Sequence, residues 1–212
     1  MSKLPVGILL AAGKSQRFGS NKLLYPVINN TPMLLVSAQK LANVLPGSIV
    51  VISPELIPYT DQLEQLKRLK EMGLRVVVNE HADRGMGSSI ACGVRASQDA
   101  PGWLIALADM PYIKTETITL LADKLANGAE IVAPVIEYRG DHREDHQGEQ
   151  RRGHPVGFNQ RYKDELLALD DDVGARHVIA NHQSALELVP THDAGVTVDV
   201  DQATDIVKAG NR

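Results

Sequence analysis

At 212 residues and 23.0 kDa the chain has the length of one domain, and it can bury roughly 70% of its unfolded surface without a metal or disulfide to staple it. Hydrophobic residues at 43% and charged residues at 23% exclude wholesale disorder, collagen and coiled coil. A formal net charge of −4 and a pI near 6.0 speak against a general nucleic-acid binder, and no apolar run reaches the ~18 residues of a membrane span. Val6–Ala12 is a near-continuous apolar run, as expected of a strand buried on both faces. It imitates the apolar part of a signal peptide, but it empties into Gly13-Lys14-Ser15-Gln16-Arg17 and reads as structure. Thr31-Pro32 reads as an N-cap followed by proline at the first helical position, and Leu34, Ala38, Leu41 and Leu45 line one helix face behind it. Ile49–Ile52 is the next buried run. Asp61 with Glu64 makes a capping-box pattern, Leu63, Leu66 and Leu69 line a face, and Gly73 stands where a C-cap glycine belongs. Val76–Val78 is a third strand.

The alternation continues in the second half. Gly87-Ser88-Ser89 opens a helix through Ser97, and Trp103–Ala108 is a strand ending at Asp109-Met110-Pro111, with Thr115 as the next N-cap. Ile118, Leu121, Ala122 and Leu125 line another helix, and Ile131–Val135 is a fifth strand. Residues 139–152 carry no apolar side chain and read as an exposed polar loop. Helical segments follow at about 160–169 and 174–182, strands at Leu186–Val189 and Val196–Val200, and a last short helix near Gln202. This pattern predicts an α/β fold, a mostly parallel sheet with helices on both faces, as a single domain over 1–212. Ligands of such folds bind at the carboxyl ends of the strands, which draws attention to 12–22, 79–89 and 109–111.

The first of these segments carries the strongest signal. A buried strand empties into a loop with two glycines, two serines and three cations. Such a loop can aim backbone N–H groups at phosphate oxygens while Arg17 and Lys22 neutralise charge. It is not a Walker A loop, since five residues separate Gly13 from Gly19 and Ser20 follows, and no G-x-G-x-x-G dinucleotide fingerprint is present. The bland alternative is a solvated surface turn. Asp109 ends a buried strand, where a carboxylate faces the ligand crevice and can hold a divalent cation against phosphates. Asp199 and Asp201 flank Val200 and share one face if the segment is a strand, an arrangement that favours a cation between them. Read without a ligand, Asp201 is instead the N-cap of the last helix. The small residues Gly87, Ser88 and Ser89 allow a base or ribose close to the backbone, or simply cap the helix. Cys92, the single cysteine, permits no intrachain disulfide and reads as a core residue, in keeping with a reducing, cytoplasmic setting.

Leu10-Ala11-Ala12-Gly13, with Ser15, Arg17, Gly19 and Lys22, resembles the signature loop L-x-[AG]-G-x-[SG]-x-R-x-G-x-x-K of the GT-A-like nucleotidyltransferases. The resemblance extends through Gly85-Met86-Gly87-Ser88-Ser89, Leu107-Ala108-Asp109-Met110-Pro111, Gly153-His154-Pro155-Val156, Gly174-Ala175-Arg176 and Val198-Asp199-Val200-Asp201. Within that superfamily the chain is most similar to the molybdenum cofactor cytidylyltransferases. The resemblance implies a Rossmann-like GT-A nucleotidyltransferase fold. It implies CTP and the molybdopterin cofactor as substrates, Mg²⁺ as cofactor, and a molybdoenzyme as recipient of the product, with no nucleic-acid or membrane partner. It implies that Leu10, Ala11, Ala12, Gly13 and Lys22, together with Gly87, Ser88 and Ser89, bind the nucleotide. Arg17, Lys22 and Asp109 would be catalytic, Asp109 and Asp201 would hold the metal, and Arg152 and His154 would contact the acceptor. The family ending D-x-D-T-P-E-D-L reads here Asp199-Val200-Asp201-Gln202-Ala203-Thr204-Asp205-Ile206, so the usual Thr-Pro is replaced while the carboxylates stay. Guanylyltransferase relatives usually carry a second glycine where this chain has Ala12, which favours cytosine. The rival readings are a guanylyltransferase, a sugar-phosphate nucleotidyltransferase, and a non-catalytic protein that binds and hands on the cofactor.

Overall fold

The computed structural model describes residues 3–13, 22–57, 60–136, 151–202 and 205, without the side chains of 60–63. In chain order the elements are β1 (Val6–Ala11), β2 (Pro26–Ile28), β3 (Thr31–Pro32), α1 (Met33–Val44), β4 (Ile49–Ile52), α2 (Thr60–Glu71) and β5 (Arg75–Val78). Then come α3 (Met86–Arg95), β6 (Gly102–Leu107), α4 (Thr115–Ala126), β7 (Ile131–Ile136), β8 (Val156–Asn159), α5 (Lys163–Leu167), α6 (Arg176–Asn181) and β9 (Leu186–Thr191). Seven strands form one sheet in the order β5-β4-β1-β6-β8-β7-β9. All neighbours pair parallel except β8, which runs antiparallel to both β6 and β7. The expected α/β architecture with a mostly parallel sheet is therefore present.

The near-continuous apolar strands have the stated cause: both sheet faces are covered. Leu9, Val50, Leu104 and Val132 point to the face packed by α1 and α4. Ile8, Val51, Ile105 and Ala133 point to the other, under α3, α5 and α6, where fully buried Trp103 and Phe158 lie. Trp103 Nε1 donates to Ser97 Oγ at 3.0 Å, so its one polar atom is satisfied. Gly73 has φ +77°, and Leu74 N–H donates to Leu69 O at 3.1 Å while Gly73 N–H donates to Lys70 O at 2.9 Å, the paired bonds of a Schellman cap. Among the described residues no helix is long and apolar enough to cross a membrane.

Several local expectations need correction. Thr31 is not an N-cap. Asn29 and Asn30 both adopt left-handed conformations, with φ 49° and 57°, and turn β2 back onto β3, so Thr31-Pro32 is strand and α1 starts one residue later. Thr115 is already helical, and the start of α4 is capped from far away. Asp193, 3% exposed, accepts from Lys114 N–H and Thr117 Oγ1, both at 2.7 Å, and from Gly195 N–H at 3.0 Å. Val196–Val200 is not a strand; residues 194–197 form a 3-10 turn, and Val196 and Val200 are buried because this irregular segment packs into the core. Asp199 and Asp201 therefore do not share a strand face. The strand β8, which the sequence reading lacks, fills the gap between β6 and β7 instead. α2 begins at Thr60, and the proposed Asp61–Glu64 box rests on side chains outside the described residues. Residues 139–150 of the polar loop and most of the helix expected near Gln202 also lie outside them.

Replacing Asp193 by alanine is expected to destabilise the fold by about 3 kcal/mol, since it strands three donors that one buried carboxylate satisfies. The check is urea unfolding: the midpoint should fall at constant m-value, and an unchanged midpoint would remove Asp193 from this role.

Candidate nucleotide-binding site

β1 and β6 lie side by side where the chain order of the sheet reverses direction. In an open α/β sheet this is where a crevice forms beyond the carboxyl ends of the strands. A cleft of about 450 Å³ opens there. It is lined by Leu10, Ala11, Ala12 and Gly13 as the chain leaves β1, by Lys22, by Leu107 and Asp109 at the end of β6, and by Gly85, Met86 and Ser89 at the start of α3. The sequence reading singled out most of these from three separate segments, and the fold brings them to one place.

Lys22 is the hub. Its Nζ donates to Asp109 Oδ2 at 2.8 Å and to Asp201 Oδ1 at 3.1 Å. Its side chain is 15% exposed, against 25% for Asp109 and 50% for Asp201. Burial alone would pull the Lys22 pKa down, but the Asp109 and Asp201 carboxylates outweigh it and hold it above its ordinary 10.5. Lys22 is thus a fixed cation at neutral pH. Asp109 is held from behind: Ser37 of α1 donates to Ala108 O at 3.0 Å, and Val200 N–H donates to Asp109 O at 2.9 Å. Lys40, also on α1, donates to Pro111 O at 2.6 Å and Ile113 O at 2.9 Å, which pins the turn after Asp109.

The donor set fits a hard divalent cation. Both carboxylates reach one ammonium, so their oxygens lie within about 6 Å of each other. Among the described residues no group of three or more His, Cys, Asp or Glu is placed to hold a metal. An ion here would complete its shell with phosphate oxygens and water, the usual situation of nucleotide-bound Mg²⁺.

The Gly87-Ser88-Ser89 segment divides. Ser89 lines the cleft; Gly87 and Ser88 serve the fold. Gly87 N–H donates to Asp171 O at 2.7 Å, and a Cβ at Gly87 would lie 2.8 Å from that same oxygen. Ser88 is buried, with its hydroxyl 2.8 Å from both His81 O and Gly85 O while it accepts from Asn79 Nδ2 at 2.9 Å. Neither serine caps α3; the N-cap is Gly85, at φ +107°, where a Cβ would also lie 2.7 Å from Asp172 N. The small residues are there so that 170–172 can press against the helix start. Arg84 and Asp170 reinforce that contact at 3.1 Å.

A second cavity of about 220 Å³ adjoins the first and shares Met86, Leu107 and Asp172 with it. Arg152 and His154 line it, as does Arg176. Gly153 N–H donates to Pro134 O and His154 N–H to Val196 O, both at 2.8 Å, so backbone pairing fixes both residues. Burial drives the His154 pKa below its ordinary 6.5; Asp109 opposes this, and Arg152 and Arg176 add to it. Arg17 lies outside the described residues. Asp172 escaped the sequence reading as a cleft residue. The signal for Asp172 was available, in three consecutive acids just before Gly174-Ala175-Arg176.

Residues 7–186 match the model of the MobA-like NTP transferase domain. A "Probable molybdenum cofactor guanylyltransferase" of Thermococcus sibiricus is 28% identical over 127 residues, 60% of this chain and 59% of that protein. The purine catabolism protein PucB of Bacillus subtilis is 29% identical over 206 residues, 92% of this chain and 91% of that one. The crystal structure of Rv0371c from Mycobacterium tuberculosis H37Rv superposes with a TM-score of 0.76 at 20% identity, covering 99% of this chain and 100% of that one.

Proposed function

The chain belongs to the MobA-like NTP transferase domain family, and on that premise we propose that it transfers CMP from CTP to the terminal phosphate of molybdenum-loaded molybdopterin. The products would be pyrophosphate and the cytosine dinucleotide form of the cofactor. The observation that carries this reading is the convergence of Lys22 and Asp109 in a cleft, with Asp201 bonded to Lys22 at its edge, the cleft running on to Ala12-Gly13 on one side and adjoining a second cavity on the other. One cavity suits the nucleotide, the other an acceptor, and the charged cluster belongs to the first.

An acceptor phosphate is largely ionised at neutral pH, its second pKa lying near 6, so no strong general base is needed. One of its oxygens attacks the α-phosphorus of CTP, and the bond from that phosphorus to the bridging oxygen of pyrophosphate breaks, the oxygen keeping the electron pair. The protein's part is placement and charge neutralisation. Backbone N–H groups around Ala12-Gly13 bind the triphosphate. Lys22 and Arg17 balance the charge growing on the leaving group. Asp109 and Asp201 would hold Mg²⁺, which would supply neutralisation of phosphate charge. Ser89 faces the ribose and base. Arg152 and His154 receive the acceptor, with His154 neutral and free to exchange hydrogen bonds.

Ala12 supports CTP, through the resemblance of its loop; the guanylyltransferase name of three relatives supports GTP. Pyrophosphate release by the purified protein with Mg²⁺, on CTP or GTP, with and without molybdenum-loaded molybdopterin, separates them. Release only with CTP and cofactor together is the expected result. Release with GTP reassigns the base. A folded protein that binds nucleotide and releases nothing is a binding protein or acts on another acceptor.

A further inference from the structure

The second cavity does not end at His154. A third, of about 310 Å³, lies beyond it against the edge strand β9. Arg152, Arg176 and Ile179 line both, so the two arginines stand at the boundary. The third cavity is otherwise lined by Leu186 and Leu188 of β9 and by Ala180 and Gln183, and Leu188 is 37% exposed.

Its charge is unbalanced. Arg84, Lys124 and Arg161 each have a carboxylate partner, on Asp170, Glu187 and Glu130. Among the described residues Arg152 and Arg176 have none. No carboxylate lines the third cavity, and the one in the second, Asp172, stands at the end shared with the nucleotide cleft. Two guanidinium groups over an apolar lining suit a flat ring with anionic or acceptor-rich edges, since a guanidinium stacks on such a ring and donates in a fork to its edge. A bare phosphate would leave the apolar lining without a partner. Size points the same way. The second cavity, at about 220 Å³, falls below the ~300 Å³ at which small-molecule sites begin, and the third, at about 310 Å³, reaches it.

We infer that Arg176 is an acceptor-binding residue which, paired with Arg152, grips the far, ring-bearing end of the acceptor, and that the cavity against β9 receives that end. The inference rests on the transfer reading above for the word acceptor, but the ligand chemistry stands on the cavity itself. Arg176 follows in sequence the 170–174 segment that packs on the start of α3 at the wall of the nucleotide cleft.

The test uses Arg152→Gln, Arg176→Gln and the double variant of the full chain. Both side chains are on exposed residues, so melting temperatures should not change. The probe is pterin-6-carboxylate, a fluorescent flat anion without phosphate, titrated with no nucleotide present. Each single variant should weaken its binding roughly 10-fold or more, and the double variant should abolish it, while CTP binding stays within about twofold. Binding unchanged in the variants, or absent in the unaltered protein, overturns the inference. Pyrophosphate release keeps the two ideas apart. If the unaltered protein releases none with either nucleotide yet binds the probe through the arginines, the transfer reading fails and the grip stands. If release occurs and Arg176→Gln leaves the acceptor KM unchanged, the grip fails and the reading stands.

Discussion

Replacing Asp109 by asparagine is expected to lower turnover by at least ~10³-fold, about 4 kcal/mol of transition-state stabilisation. Two losses combine. The variant removes one of two carboxylates placed to hold the divalent ion, and it removes the nearer partner of Lys22, at 2.8 Å. Asparagine keeps the shape, so the turn pinned by Ser37, Lys40 and Val200 should survive. Unfolding free energy should change by no more than about 1 kcal/mol, as for a partly exposed ion pair. The measurement is pyrophosphate release against Mg²⁺ concentration. A folded variant with normal turnover and normal Mg²⁺ dependence would place Asp109 outside the chemistry.

Replacing Lys22 by alanine should cost at least ~10²-fold in turnover, the scale of losing one preorganised electrostatic donor. It has a second signature. In the free protein the Lys22 ammonium bridges Asp109 and Asp201. Without it the carboxylates face each other with no cation between them, so Mn²⁺ should bind the nucleotide-free variant more tightly than the unaltered protein. Slower turnover together with tighter metal binding separates this role from general damage, which would weaken both. Lys22 is held above its ordinary pKa by its partners, so no loss of activity attributable to it should appear below about pH 10. If turnover stays near normal in the variant, Lys22 is only a surface charge.

The parts of the fold that the sequence made legible were those where one physical cause acted alone. Val6–Ala11, Ile49–Ile52 and Ile131–Ile136 are apolar throughout because both faces of the sheet are covered. Gly73 marks its helix end because a left-handed residue is needed there. Where two causes produce the same pattern, the sequence misled. Val196, Val198 and Val200 alternate as a strand does, but two of them are buried by an irregular segment that also caps α4 through Asp193. Val156–Asn159 is only four residues and contains a glycine, so nothing announced a strand; its partners on β6 and β7 define it. The site divided along the same line. Asp109 stood out because a charge at a strand end needs a reason, and Lys22 and Asp201 through the motifs that carry them. Gly87 and Ser88 looked equally ligand-facing, yet the smallness of Gly87 admits the 170–172 segment and the Ser88 hydroxyl is taken up by His81 O, Gly85 O and Asn79, constraints visible only once distant chain is packed beside them.

The antiparallel strand β8 has a consequence for the order of events during synthesis. β5, β4, β1 and β6 can zip together as soon as Leu107 has left the ribosome. The next strand in sequence, β7, has no seat beside β6, because that seat belongs to β8, about fifty residues further on. At roughly 5–20 residues per second the nascent sheet therefore carries an open apolar edge for several seconds. That edge is a template for any stray strand, the hazard that open sheet edges bring.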